Sequence, residues 1–354
     1  MRQQSAIPLF ACASLLPATC LLAGALLAGL WPVLAMLSMT ALVVAMDRVG
    51  PGFEAHASMT RWLPWVVGVA HFAVLGTTLW AIGQNGVLQT SDKLLLAVSL
   101  GLFAGQVSNA CAHELIHRSD RRARWLGTAI YCSILNGQHV SAHLLVHHVH
   151  AGTAKDPCSA PVGRGFYRFA VTAAQAEFAE GWRAETQRRL RHARGLHPYT
   201  IYLGGAGLAL AFAALLAGPL GVVALMAISL HAQMQLLLSD YVQHYGLRRR
   251  LDPAGKPEPM GPQHSWNAPQ PYSAALMMNA PRHSDHHMQP SRPFTDLRVS
   301  GTNMPLLPRS MPVMGAIALV PALWRKIMDP RVAAWVSATQ PPAPPVVSQP
   351  LMSR

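Results

Sequence analysis

Residues 94–117 read LLLAVSLGLFAGQVSNACAHELIH, an apolar run that ends on a pair of histidines. The stretch 94–112 contains no Asp, Glu, Lys or Arg, and a helix needs about 20 apolar residues to cross a bilayer. His113 and His117 follow at a spacing of four, which places both side chains on one face of a continuing helix. The stretch therefore predicts a membrane-spanning helix with two histidines at its end.

Further apolar runs and the overall composition also indicate a membrane protein. Hydrophobic residues make up 51% of the chain and charged residues 12%, whereas an average soluble domain is about 25% charged. The runs predict an all-α integral membrane protein with about six spans. These lie near 7–30, 31–46, 64–83, 94–112, 199–217 and 219–239. Charge-free turns near 30 and 218 would make tight hairpins. A cleavable signal peptide is the alternative for the first run, but a second run follows it at once.

The basic charge is concentrated in two polar segments. The net charge is +13, and the arginines gather in 118–194 and 248–298. Because cytoplasmic loops collect Lys and Arg, we expect both segments and both termini on the cytoplasmic side. A nucleic-acid partner is the alternative explanation of this charge. No nucleic-acid-binding module is visible, so we expect none.

The domain organisation predicted from these patterns is simple. Residues 1–312 would form one membrane unit, 313–338 a C-terminal amphipathic helix, and 339–354 a Pro-rich disordered tail. A helix is expected over 173–194. The five cysteines form no C-x-x-C pair, which argues against a disulfide framework, a zinc ribbon or a fused iron–sulfur module. Electrons for any redox chemistry would then come from another protein.

Four clusters of histidines flank the predicted spans. Neutral imidazole is a common ligand for iron and zinc, and one zinc takes three or four protein ligands. Nine candidates are therefore about right for two ions. If six spans are correct, all four clusters lie on one side of the membrane. The candidate ligands are His113, His117, His143, His147, His148, His244, His283, His286 and His287. His139 and His150 flank the second cluster as possible supporting groups.

One cluster also fits a different enzyme class. Residues 113–117 match H-E-x-x-H, in which two histidines hold zinc and the glutamate, here Glu114, acts as a general base. A zinc peptidase needs one further ligand, and it leaves the clusters at 143–148 and 283–287 without a role. One zinc per chain would support the peptidase, and two irons would exclude it.

Three of the clusters, at 113–117, 143–148 and 283–287, resemble the histidine boxes of the membrane fatty-acid desaturase and hydroxylase superfamily. Residues 240–247, DYVQHYGL, resemble the N-Y-x-E-H-Y-G signature of alkane 1-monooxygenases, and 282–294, RHSDHHMQPSRPF, resemble their R-H-S-D-H-H-x-x-P-x-R-P-[YF]. The stretches PQHSWN at 262–267, GFYRF at 165–169 and TAKDP at 153–157 are similar to that family too. The chain departs from it at Ala142, at 144–146, at Asp240 and at Gln243. These departures leave the substrate open among n-alkanes, alkyl-aromatics and terpenes.

This resemblance implies a chemistry for the nine histidines. They would hold two iron ions that use O2 to hydroxylate a terminal or benzylic C–H of a hydrophobic substrate. All-neutral ligation leaves a cationic cluster, so carboxylates beside the ligands should matter as hydrogen-bond acceptors. The candidates are Asp156, Asp285, Glu114 and Asp240.

The resemblance also implies partners and a location. A rubredoxin-type carrier with its NAD(P)H-dependent reductase would deliver electrons, and the substrate would arrive from membrane lipid. We expect the bacterial inner membrane, with the active site on the cytoplasmic side. A lipid or fatty-acid desaturase with the same boxes is the first alternative. A non-catalytic membrane protein or metal store is the second.

Overall fold

The structure, a computed structural model, describes residues 7–49, 61–84, 86, 88–192, 195–299 and 302–339. Within these ranges the chain is helical, and two isolated β-bridges are the only extended pairings. The predicted tail at 339–354 lies outside the described residues except for Thr339. The helices are α1 Ile7–Leu27, α2 Trp31–Ser38, α3 Ala41–Val49, α4 Leu63–Gly83, α5 Thr90–Phe103, α6 Asn109–Ile116, α7 Arg121–Ser133, α8 His139–Ala142, α9 His148–His150, α10 Phe166–His192, α11 Pro198–His244, α12 Pro271–Leu276, α13 His283–Met288, α14 Met311–Ala318 and α15 Pro321–Thr339.

Two π-helical turns interrupt this helical pattern, and both lie near histidines. Ala104–Ser108 joins α5 to α6, and His143–His147 joins α8 to α9. A π-turn bonds residue i to i+5 and is often found at functional sites. The sequence pattern alone predicted ordinary α-helical spacing at both places.

Helix α11 contains a break that reverses the chain. Ala217 and Gly218 have non-helical dihedral angles, and Gly218 has a φ of +59°, a region that favours glycine. A Cβ on Gly221 would lie 2.2 Å from the carbonyl oxygen of Ala213, although these residues would be about 12 Å apart along a straight helix. The two arms of α11 therefore pack against each other, at the place where the sequence predicted a hairpin.

Successive long helices alternate in direction, so that their ends collect at two faces of the bundle. At the face that we call the histidine end, the carbonyl of Pro64 at the start of α4 accepts a hydrogen bond from Cys111 near the end of α6 (3.1 Å). Asp47 at the end of α3 accepts from the backbone of Tyr272 and Ser273 (3.0 and 2.9 Å). At the opposite face, Gly83 at the end of α4 packs against the break of α11.

The number of membrane spans agrees with the prediction only in part. Four helices are long and apolar enough to cross a membrane: Pro8–Leu27, Leu63–Gly83, Thr90–Ile116 and Pro198–His244. A fifth is added if the bent pair Trp31–Met39 and Ala41–Val49, which meet at 45°, forms one span. The predicted count of six treats the two arms of α11 as separate spans, and that count stays a prediction.

The C-terminal helices pack onto the bundle rather than extending from it. The single helix expected at 313–338 is two helices, α14 and α15, because the chain turns before Pro321. Trp324 is fully buried, with its ring centroid 5.2 Å from that of Tyr241 and 5.3 Å from that of Tyr245. Tyr245 also donates a hydrogen bond to Asp329 (2.6 Å). This core anchors the end of α11, which carries His244. The helix expected at 173–194 begins earlier, at Phe166.

Candidate metal centre

All nine predicted histidines meet at the histidine end, in two groups. The first group has five members, and one nitrogen of each lies within 4.8 Å of the others. The second group has four members by the same measure. We call them the five-histidine group, which is His113, His117, His143, His148 and His286, and the four-histidine group, which is His147, His244, His283 and His287.

Histidines that are neighbours in the sequence belong to different groups. His143 joins the five-histidine group together with His148, whereas His147 joins the other group. The π-turn at His143–His147 explains this, because it brings residues five apart, rather than four apart, onto one face. In α13, His286 faces the five-histidine group, while His283 and His287 share the other, as their i, i+4 spacing predicts.

The spacing of the nitrogens fits metal coordination. His143 Nε2 lies 3.0 Å from His117 Nε2 and 2.9 Å from His148 Nε2, and His148 Nε2 lies 3.2 Å from His286 Nε2. Two nitrogens that bind one metal ion at right angles, each about 2.1 Å from it, lie about 3.0 Å apart, against about 3.4 Å in a tetrahedral site. Protons could not satisfy so many converging nitrogens, because each neutral ring carries only one.

The four-histidine group has the same spacing. His283 Nε2 lies 2.9 Å from His244 Nε2 and 3.0 Å from His287 Nε2. The fourth member, His147, has a buried Nε2 that meets no hydrogen-bond partner among the described residues. A metal ion at the centre of this group would satisfy that nitrogen. Both groups therefore fit a metal ion, and the five-histidine group exceeds the four ligands of a structural zinc site.

Burial keeps most of these rings neutral, as metal ligation requires. Burial, with the neighbouring His139 and His147, lowers the pKa of His117 to about 4. Burial, with His147, lowers the pKa of His283 to about 3. These imidazoles therefore offer lone pairs at neutral pH.

His147 differs from the other ligands because a carboxylate lies beside it. Burial by itself lowers the pKa of His147, but the hydrogen-bonded Asp156 carboxylate, together with Asp240 and Glu177, outweighs burial and raises this pKa to about 9. Asp156 Oδ2 lies 3.1 Å from His147 Nδ1 and accepts from Ser159 Oγ at 2.6 Å, while Oδ1 accepts from the Cys158 backbone N–H at 3.1 Å. The carboxylate holds a proton at Nδ1, so a metal ion that binds at Nε2 would displace the second proton of the ring, as in carboxylate–histidine–metal triads.

The other predicted carboxylates have different partners. Asp285 accepts from Arg292 through both oxygens (2.7 and 2.6 Å) and from the backbone N–H of Arg298 (2.9 Å), so it braces the loop after α13. Its carboxylate makes no hydrogen bond to any histidine that the structure describes. Glu114 forms an ion pair with Arg118 (2.5 Å). A role for either residue in catalysis stays a prediction.

A buried carboxylate that sequence reasoning missed lies beside Asp240. Glu177 of α10 lies with Asp240 and Cys158 in a group whose ligand atoms are within 4.8 Å of one another. Glu177 Oε1 accepts from Cys158 Sγ (3.2 Å) and lies 3.3 Å from His139 Nδ1. Burial, with Glu177 and Asp240 nearby, raises the pKa of the Cys158 thiol, which keeps it a donor. No local motif marks Glu177 in the sequence, where it is one acidic residue of a helix.

The buried carboxylates near the ligands would compensate the positive charge of bound metal ions. A metal pair held by neutral imidazoles carries its full positive charge in a buried site, and buried charge is costly unless it is compensated. Asp156, Glu177 and Asp240 are all more than 90% buried, and each has an oxygen within 4.8 Å of Cys158 Sγ. Of the predicted flanking histidines, His139 belongs to this layer, with its ring 5.1 Å from that of His143. His150 belongs to neither histidine group.

A loop holds the third histidine box in place. The amide oxygen of Asn267 accepts from the backbone N–H of Ser284 (2.9 Å), and its Nδ2 donates to Ser284 Oγ (2.8 Å). Trp266 donates to the carbonyl oxygens of Gln243 and Tyr245 on either side of His244. The stretch 262–267 therefore ties α13 to the end of α11, which brings His283 and His287 to His244.

A large cavity, which we call the substrate cavity, leads from the histidines into the bundle. Its volume is about 870 Å³, within the range of small-molecule sites. Its walls come mainly from α3 and the two residues before it, α5, the Ala104–Ser108 turn, α6, α11 and α14. His113, His143 and His283, drawn from both histidine groups, line one end. Most of the remaining lining is apolar, including Met39, Leu102 and Leu319. The arrangement can hold an apolar molecule next to two metal positions.

Comparisons with known proteins agree with this geometry. Residues 93–300 match the family model described as "Fatty acid desaturase". The chain is 31% identical over 275 residues to Alkane 1-monooxygenase 1 of Alcanivorax borkumensis, which covers 75% of the chain and 66% of that relative. It is 30% identical over 285 residues to Alkane 1-monooxygenase of Pseudomonas putida (78% and 69%). To Alkane 1-monooxygenase 1 of Pseudomonas aeruginosa it is 29% identical over 325 residues (84% and 84%). The match thus spans about two thirds of the first two relatives.

Proposed function

We propose a function that starts from one established premise: this chain belongs to the fatty acid desaturase family and is a relative of the alkane 1-monooxygenases. Enzymes with that name are oxidoreductases, and the chain keeps all nine histidines at one end of a helical bundle. The reaction, the metal, the partners and the location given below are proposals.

The reaction that fits best is O2-dependent hydroxylation of a C–H bond in a hydrophobic substrate such as an n-alkane. In balanced form, R–H, O2, two electrons and two protons give R–OH and H2O. The observation that carries the proposal is the contact between the two histidine groups and one end of the substrate cavity. An apolar chain that fills the cavity would present one end to both metal positions.

Iron is the metal that suits this ligand set. Imidazole binds iron well, and five converging nitrogens at right-angle spacing exceed the number that tetrahedral zinc takes. Two bound iron ions would supply the activation of dioxygen. The residues of the chain do the rest: the nine histidines hold the ions, Asp156 orients His147, and the buried carboxylates compensate the charge.

The cavity walls would hold and orient the substrate. Burial of each methylene stabilises a bound chain by about 0.8 kcal/mol, so affinity should rise steeply with chain length until the cavity is filled. The walls also exclude water, which protects a reactive oxidant from side reactions.

Electrons would arrive at the histidine end from a rubredoxin-type carrier, itself reduced by an NAD(P)H-dependent reductase. The arginines of 118–194 and 248–298 would place that end at the cytoplasmic side of a bacterial inner membrane with six spans. The same basic surface would attract an acidic carrier.

A desaturase is the second candidate, because the matching family model carries that description. Desaturation would remove two hydrogens and form an alkene, with both oxygen atoms of O2 leaving as water. A zinc peptidase fits the geometry poorly. Glu114 is paired with Arg118, and three further histidines surround His113 and His117.

Labelled oxygen separates these candidates. Membranes that contain the chain, a rubredoxin and its reductase would be supplied with ¹⁸O₂ and a panel of alkanes, alkylbenzenes and acyl lipids. An alcohol carrying one ¹⁸O supports hydroxylation, and an unlabelled alkene supports desaturation. His286→Ala serves as the control that removes a predicted ligand. Equal turnover in that variant would contradict the ligand assignment, and no product from any substrate would favour a metal store.

A further inference from the structure

Four polar side chains cross the wall of the substrate cavity within the membrane-spanning part of the bundle. We call them the polar belt: Gln106, Asn109, His231 and Gln235. The first two lie in the span Thr90–Ile116 and the last two in Pro198–His244. Polar side chains are costly inside a membrane protein and generally mark a function. A cavity made only for plain alkanes would not need them.

The packing of two helices makes room for the belt. A Cβ on Gly101 would lie 2.2 Å from His231 Nδ1, and a Cβ on Gly105 would lie 2.4 Å from Gln235 Nε2. The two glycines are four residues apart, and so are the two polar side chains that face them. Any larger residue at either glycine would displace a belt side chain, so the belt is built into this helix contact.

Hydrogen bonds within and between the two helices use the donors of the belt. Gln235 Nε2 donates to the Gly101 carbonyl (2.9 Å), and Gln106 Nε2 donates to Gln235 Oε1 (3.4 Å). Asn109 Nδ2 donates to the carbonyls of Gly105 and Ala232 (3.3 Å each). These contacts hold the helices together and also determine which way each amide group faces.

Acceptors are left over after these bonds. Gln106 Oε1 and Asn109 Oδ1 are buried and meet no hydrogen-bond partner among the described residues. The His231 side chain lines the cavity and likewise has no hydrogen-bond partner in the described part of the chain. A buried acceptor without a partner is destabilising, so helix contact alone does not account for this arrangement. A ligand that donates a hydrogen bond would satisfy it.

We propose that the polar belt binds the hydroxyl group of a hydrophobic alcohol, whose far carbon is then oxidised. The inference rests on the proposed hydroxylase function and names its substrate class. Gln106 precedes His113 by seven residues, which corresponds to about 10 Å along the helix. An alcohol of medium length spans that distance, with its hydroxyl at the belt and its methyl end near the histidines. Hydroxylation of that methyl group gives a diol, with the oxygen and electron balance stated above.

The test compares 1-octanol with n-octane, a substrate of equal carbon number without the hydroxyl. Full-length protein loaded with iron would be assayed with its electron donors in wild type, Gln106→Leu and His231→Leu forms. We expect the ratio of the KM for 1-octanol to the KM for n-octane to rise about fivefold to tenfold in Gln106→Leu. The expected product from 1-octanol is 1,8-octanediol.

Ser229→Ala provides a matched control. Ser229 lies on α11 near His231, its buried hydroxyl meets no partner in the described ranges, and it does not line the cavity. We expect this variant to leave the ratio of the two KM values as in wild type. Thermal unfolding of each variant in detergent identifies any that fail to fold. If Gln106→Leu fails to fold, Gln106→Met takes its place.

Equilibrium binding of 1-octanol, measured by calorimetry without electron donors, separates this proposal from the proposed function. If no substrate is oxygenated but Gln106→Leu weakens 1-octanol binding fivefold, the hydroxylase function fails and the belt stands as an alcohol site. If Gln106→Leu and His231→Leu both bind 1-octanol as tightly as wild type, the belt proposal is overturned whatever the activity. Oxidation of 1-octanol at its hydroxyl-bearing carbon would overturn the proposed orientation.

Discussion

Replacing Asp156 with asparagine tests the chemistry of the metal centre most directly. Asp156 Oδ2 faces His147 Nδ1 and Ser159 Oγ, and Oδ1 accepts from the Cys158 backbone N–H. Asparagine has one acceptor oxygen in place of two. If its oxygen faces His147, its NH2 group meets the N–H of Cys158, and if it is turned round, its NH2 group meets the N–H of His147. Either orientation sets two donors against each other in a buried site.

The size of the effect follows from these bonds. A hydrogen bond to a charged group contributes about 1.5–3 kcal/mol, and about 1.4 kcal/mol corresponds to a factor of ten. We therefore expect Asp156→Asn to weaken metal binding in the four-histidine group by about 10- to 100-fold, which is also the usual effect of losing a carboxylate behind a ligating histidine. The five-histidine group contains no ligand bound to Asp156 and should keep its metal.

Iron content measured against a graded series of chelator concentrations checks this expectation. The variant should lose one iron per chain at a lower chelator concentration than wild type, while the second iron follows the wild-type curve. Glu180→Gln is the matched control, because Glu180 is a partly exposed carboxylate paired with Arg183 on the surface. Two irons lost together, or an unchanged curve, would refute the assignment of Asp156 to one metal position.

Three further predictions concern the ligands, the peptidase motif and the packing beneath the site. His286→Ala should lower iron from two to one per chain with loss of turnover, measured by metal analysis, and two retained irons would contradict the grouping. Glu114→Gln should keep hydroxylation within about tenfold of wild type, because the buried Glu114 side chain pairs with Arg118 rather than with a ligand; complete loss of turnover with iron retained would instead support a catalytic Glu114. Gly127→Ala should destabilise the protein by about 1–3 kcal/mol, since its Cβ would lie 2.8 Å from a backbone oxygen of α6, while Gly204→Ala, with no described atom within 4 Å, should not; equal thermal midpoints would contradict this.

Much of the fold could be predicted because it depends on local patterns. The apolar runs at 64–83 and 94–112 are helices within a few residues, and the glycine at 218 breaks α11 as expected. A polar backbone in a bilayer must satisfy its hydrogen bonds within the segment, so length and composition suffice to identify a helix. The span count could not be settled in the same way, because α2 and α3 meet at an angle and α11 is a single stretch with a reversal.

The candidate ligands could also be predicted, since histidines at short spacing after apolar runs stand out in any sequence. What the spacing could not predict is their division between two positions. His143 and His147 are four residues apart and would share a metal on an α-helix, but the π-turn between them assigns His143 and His148 to one group and His147 to the other. A π-turn is stabilised by the packing around it and leaves no reliable mark in the sequence.

The sequence by itself determined the chemical inventory of this protein: a helical membrane chain, nine imidazoles and the family to which their motifs belong. Only the tertiary structure decided how that inventory is used. It divided the histidines into five and four, brought Glu177 from a distant helix to the ligands, and enclosed Gln106, Asn109, His231 and Gln235 in one cavity wall. The physical reason is that local patterns act over a few residues, whereas these contacts join distant segments of the chain. Gln106 and Gln235, for example, are 129 residues apart, and only packing brings such segments together.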